Sequence, residues 1–160
     1  MNLLQQLANR LREVLLNGTW IANTNFQDQL SSVTFNQAVQ QIDSLNTIAL
    51  FTYHINYFIE GLIHFFENRR LDIRDKYSFD MPQLHSNAEW EEMKNKLSQN
   101  AEEFAQWVEQ MSDDQINTNF VKDEYGTYAR NVDAIIEHSY YDLGQISLIK
   151  KMAQSQNTAI

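Results

Sequence analysis

The chain has 160 residues, a formal net charge of −9 and no cysteine. That length suits one domain, 1–160, and the lack of cysteine excludes disulfides, Cys-ligated zinc and an internal thiol nucleophile. The acidic balance argues against a nucleic-acid partner, because a duplex binder concentrates Lys and Arg to neutralise phosphates, and only short clusters such as Arg69-Arg70 and Lys150-Lys151 occur here.

Residues 1–17 alternate Leu with Gln, Asn and Arg. They show neither an apolar core nor a small-residue cleavage site, so they do not read as a signal peptide, and a reducing cytoplasm is the expected location. Leu3, Leu7, Leu11, Val14 and Leu15 recur at helical spacing and predict a first helix over 2–16, stopped by Asn17-Gly18. The polar stretch 19–33 reads as turns anchored by Trp20 and Phe26. Thr34 is expected to cap a short helix over 35–41, and Ser44 a long second helix reaching residue 68. Residues 69–86, with the single proline Pro82, read as a long crossover. Asn87 is expected to cap a third helix with Trp90, Met93, Leu97, Ala101, Phe104, Val108 and Met111 as its stripe. Ser112-Asp113-Asp114 opens a helical turn, residues 120–127 suggest a small extended piece around Gly126, and a last helix is predicted over 128–153 with a frayed tail.

The most apolar stretch, 48–66, is long enough for a membrane span, but it carries His54, Asn56, Glu60 and His64, which hydrocarbon tolerates poorly. It reads as a buried helix and not as a membrane segment. Four amphipathic helices with two longer connections predict an all-α bundle.

On the last helix Val132, Ile136, Ser139, Leu143 and Ile146 form an inward arc at about 100° per residue, and His138, Asp142 and Gln145 line one edge of it. His138 and Asp142 are four apart, one turn apart on one face, so imidazole and carboxylate reach a common point. His54 lies among Leu50, Phe51, Phe58, Gly61 and Phe65 and is expected to point into the apolar face of the second helix. Gly61 and Gly144 suggest close helix approach. Side-by-side packing would assemble His54, His138 and Asp142 into a ligand set with open positions, suited to Zn²⁺, Ni²⁺ or Fe²⁺. The plain alternative stays open: a hydrogen-bonded core histidine and an ordinary His138–Asp142 pair.

The segment 136–146, Ile-Glu-His-Ser-Tyr-Tyr-Asp-Leu-Gly-Gln-Ile, resembles the last-helix signature of the DinB/YfiT-like family, roughly His-x-x-x-His-x-Gly-Gln-Ile. Residues 45–54 resemble that family's second-helix element, and 18–20 and 71–76 are similar to one of its subgroups. The resemblance spans nearly the whole chain. It implies an up-down four-helix bundle, often a homodimer, with three histidines around a divalent metal. It also implies thiol-dependent transfer chemistry, with a low-molecular-weight thiol as cosubstrate. His54 matches the first ligand and His138 the second; the third falls at Asp142, where this chain departs from the pattern. Aspartate ligates the same metals with a shorter, charged arm.

Three functional readings follow. The first is a metal-dependent enzyme, an S-transferase or hydrolase that activates a thiol or water toward a small-molecule substrate. The second is a non-catalytic metal or small-ligand binding bundle. The third is a metal-free structural or interaction protein. No residue stands out as a general base. Gln145 is read as a packing residue or an outer partner of the ligands. His85 reads as solvated, Arg74 and Arg130 as surface ion-pairing residues, and Trp107, off the stripe, as a candidate dimer contact.

Overall fold

A computed structural model of the chain describes the backbone of residues 1–158 and side chains through Ser155. Helix α1 (Leu3–Arg12) begins where the Asn2 side chain accepts a hydrogen bond from the Gln5 amide, and its end widens into a π-helical turn over Glu13–Asn17. The polar stretch that follows contains a helix the periodicity did not reveal, α2 (Phe26–Ser31), capped by the Asn25 side chain on the Asp28 amide. Six residues are too few to display a helical stripe. The two expected anchors separate completely: Phe26 is fully buried, whereas Trp20 is 89% exposed at the tip of a turn.

Helix α3 (Phe35–Val39) has the expected Thr34 cap, completed by Gln37 reaching back to the Thr34 amide. The next cap is not Ser44. Thr47 accepts from the Leu50 amide and starts α4 (Ile48–Asn68), while Ser44 lies in the preceding turn. Both residues can cap, and the one with extended backbone beside the helix does so. A similar competition moves the cap of α5 (Asn87–Glu109) by one residue, from Asn87 to Ser86, which accepts from the Glu89 amide. Helix α6 (Asp113–Asn117) follows its Ser112 cap. Residues 119–127 form no strand; a lone bridge joins Asn119 to Thr127 around a 3-10 turn over Asp123–Tyr125. Helix α7 (Tyr128–Thr158) runs past its expected end at residue 153, and Ala159 and Ile160 lie outside the described residues.

The described fold is all-helical. Helix α4 packs against α5 and α7, and α1 also packs against α5 and α7, so the four longest helices enclose one core. Trp90 is wholly buried in it, with its indole N–H donating to the Val33 carbonyl at 2.9 Å. On the core side of α7, Val132, Ile136, Ser139, Leu143 and Ile146 are all buried, as their spacing predicts. Trp107 is half-buried and stacks on Phe66 at 5.7 Å, so it closes the rim of this core. Among the described residues no helix is long and apolar enough to cross a membrane.

Candidate metal centre

Two helices carry the polar residues that converge in the interior. Helix α4 is apolar nearly all round, so it needs specific contacts to fix its rotation. One is a part-buried hydrogen bond to α5, in which Asn100 Nδ2 donates to Asn56 Oδ1 at 2.9 Å. Held in this way, α4 turns His54, two residues earlier, toward α7. His54 is 6% exposed.

The crossover between α4 and α5 then fixes the imidazole. His54 Nδ1 lies 3.3 Å from the Ser78 carbonyl oxygen. A carbonyl can only accept, so Nδ1 carries the proton and Nε2 keeps a lone pair. Phe79 stacks flat on the ring, with centroids 3.9 Å apart and planes 8° apart. The crossover reaches this position because α4 has no side chain at Gly61: a Cβ there would come within 2.4 Å of Ile73 Cγ1. Gly61 therefore admits the crossover and not another helix. Gly144 serves no close approach at all, since nothing lies within 4 Å of a Cβ built on it.

On α7, His138 and Asp142 project from the edge of the buried arc toward His54. The two Nε2 atoms are 3.1 Å apart, and His138 Nε2 lies 3.5 Å from Asp142 Oδ2. The three ligand atoms all fall within 4.8 Å of one another. The structure thus brings together all three candidate ligands. It leaves the other two histidines outside: His64 is exposed and near Asn68, and His85 is exposed in the crossover. Arg130 pairs with Glu137 at 3.0 Å, the surface role expected of it.

Burial sets the protonation states. It lowers the pKa of His54, assisted by the neighbouring His138 and opposed by the Ser78 hydrogen bond and the charge of Asp75. It lowers that of His138 as well, again against Asp75. It pushes the Asp142 carboxyl up to about 7. Both imidazoles are therefore neutral ligands near pH 7, and the carboxyl is poised to release its proton when a cation arrives.

Asp142 supplies the test of fit. Its Oδ1 accepts from Gln145 Nε2 at 3.3 Å, but its buried Oδ2 has no hydrogen-bond partner. Neighbouring buried hydroxyls behave differently: Thr52 donates to the Ile48 carbonyl and Ser139 to the Ile135 carbonyl. Leaving a buried polar atom unpaired costs about 1–3 kcal/mol, so each one requires an explanation. The 3.5 Å gap to His138 is too long for a hydrogen bond. It is close to the separation of about 3.3 Å between two donors sharing a tetrahedral ion at about 2.0–2.1 Å. On donor type and on the two separations from His138, His54, His138 and Asp142 together could hold a divalent cation.

Sequence reasoning found the three ligands but missed Asp75, Ser78 and Phe79. Ser78 acts through its backbone, which leaves no trace in residue identity. Phe79 and Asp75 belong to the alternation of charges and aromatics before Pro82, a pattern that marks the segment as unusual without saying what it covers. No family model matches this chain, and neither a curated protein nor a solved structure matches it.

Proposed function

We propose that this chain is a DinB/YfiT-like up-down four-helix bundle that binds one divalent ion, Zn²⁺, Ni²⁺ or Fe²⁺, through His54, His138 and Asp142. In this reading it is a metal-dependent enzyme, acting as a thiol S-transferase or hydrolase on a small molecule. The observation that carries the metal reading is the buried, unpartnered Asp142 Oδ2 facing two imidazoles. The reaction class comes from the last-helix resemblance, and the absence of cysteine fits a thiol drawn from solution.

A divalent ion there supplies Lewis acidity, which lets a thiol or water lose its proton near neutral pH. The chain's own residues do the rest. Ser78 and Phe79 hold the His54 ring with its lone pair inward. Gln145 restrains one Asp142 oxygen and leaves the other free. With Asp142 ionised, the ligand set carries one negative charge, where three histidines would carry none. That favours harder, oxygen-tolerant cations and weakens the Lewis acidity left for a substrate.

The test is metal content by mass spectrometry on protein purified without an affinity tag, beside His54→Ala and Asp142→Ala. Near-stoichiometric metal in the parent, lost in both variants, supports the centre and justifies a thiol-transfer screen. Metal lost only in His54→Ala removes Asp142 from the ligand set. No metal after incubation with Zn²⁺, Ni²⁺ and Fe²⁺ overturns the proposal. Retained metal without thiol-dependent turnover leaves a binding protein. The homodimer implied by the resemblance is tested by light scattering, against a chain mass of 18.8 kDa.

A further inference from the structure

Beside the imidazole pair, α4 and α7 diverge into a cleft of about 350 Å³. Phe58 joins the two places: it lies 5.1 Å from the His54 ring and 5.4 Å from the His138 ring, and it forms one wall of the cleft. Leu62, Leu71, Ile73 and Ile135 make the other walls apolar. Among the described residues one charged side chain, Asp75, lines this space, and its negative charge is felt at both imidazoles. Among the described residues the Asp75 carboxylate has no hydrogen bond or ion pair.

Arg74, the residue before Asp75, does not line the cleft, and three other cations nearby in sequence or across the cleft are engaged elsewhere. Lys76 lies over the Tyr77 ring at 4.6 Å, Arg70 pairs with Asp72 at 2.9 Å, and Arg130 pairs with Glu137. Among the described residues no basic side chain lines the cleft. An anionic ligand entering it would lose water without gaining a counter-charge, which is costly in apolar surroundings. An ammonium group meets a free carboxylate and aromatic faces, both of which attract it. The volume lies at the low end for small-molecule sites, enough for one substituted ring.

We infer that this cleft binds a small amine, with an apolar body of about one ring between α4 and α7 and its ammonium group on Asp75. Its role as the substrate site rests on the proposed metal centre; its preference for amines does not. The same chemistry disfavours carboxylate-bearing thiols in this cleft, so a thiol cosubstrate must approach the centre by another side or be uncharged.

The probes are 2-phenylethylamine and 3-phenylpropionate, matched in body and opposite in charge, titrated by NMR into the metal-free protein at low ionic strength. The amine is expected to bind at least tenfold more tightly, with shifts centred on Ala134 and Ile135. Asp75→Asn, on an exposed turn, is expected to reduce the preference to within twofold. Ala134→Trp, which fills the cleft, is expected to abolish amine binding. The inference is overturned if the carboxylate binds within threefold of the amine. It is equally overturned if Asp75→Asn keeps the preference, or if Ala134→Trp still binds the amine. A separate Zn²⁺ titration of the parent scores the metal reading: failure there with amine preference intact sinks only the centre, and the reverse sinks only the cleft.

Discussion

Between α1 and α5, Arg12 forks two carboxylates. It donates to both oxygens of Glu102 at 2.8 and 2.9 Å and to both oxygens of Glu109 at 2.7 and 3.0 Å. The contact raises the Arg12 pKa and lowers those of Glu102 and Glu109, chiefly through these hydrogen bonds. Between α4 and α7 the situation is reversed. Two imidazoles and a carboxylate approach one another with their charged forms suppressed by burial, and one carboxylate oxygen stays unpaired. Both seams join long helices with polar side chains. The first completes every charge it buries and holds helices together, whereas the second leaves a deficit that a cation would fill. An incomplete polar cluster inside an otherwise satisfied core is the better guide to function.

Variants can break this contrast. The largest effect is expected from Asp142→Asn, which should weaken Zn²⁺ binding by at least about 100-fold, read by calorimetry, because it removes the only anionic ligand. Unchanged affinity would place Asp142 outside the site. The same variant should stabilise the metal-free protein. The Asp142 carboxyl is held at about 7 when folded against 3.8 ordinarily, so the folded state keeps an extra proton between those values. Metal-free stability from this group therefore falls as pH rises from about 4 through 7. The two histidines act in the opposite sense, since their lowered values add stability as pH rises through about 6.5. Denaturation of parent and variant side by side isolates the carboxyl: Asp142→Asn should be more stable by about 2 kcal/mol at pH 8 and converge with the parent near pH 4. A variant less stable at pH 8 would mean that Oδ2 is satisfied after all.

Arg12→Ala should act on the other seam alone. A loss of about 1 kcal/mol in urea denaturation is expected, with Zn²⁺ affinity unchanged, since the clamp lies at a partly solvated rim. A change in metal affinity would show that the two seams are coupled. The smallest effect belongs to Trp20→Ala. With the ring 89% exposed, thermal denaturation should shift by less than about 0.5 kcal/mol, whereas Phe26→Ala should cost about 3 kcal/mol or more. A large loss at Trp20 would restore it as an anchor.

What the sequence determined by itself is whatever depends on residues within a turn or two of one another. The stripes of α5 and α7, the Thr34 and Ser112 caps and the alignment of His138 with Asp142 all follow from helical period and capping chemistry. His54 was legible too, because its apolar neighbours on α4 leave it no exposed side. Caps shifted where two eligible residues stand close together, as at Ser44 and Thr47 or Ser86 and Asn87, since composition does not rank them. Only the tertiary structure decided that α4 turns His54 onto α7, that Ser78 and Phe79 come from the crossover to hold it, and that Gly61 makes room for that crossover. It alone decided that Phe26 is buried and Trp20 is not, and that Asp142 Oδ2 is left without a partner. These outcomes depend on how separate helices are rotated and docked and on the path of an aperiodic connection. No local spacing encodes them, because the groups that satisfy or fail one another are dozens of residues apart.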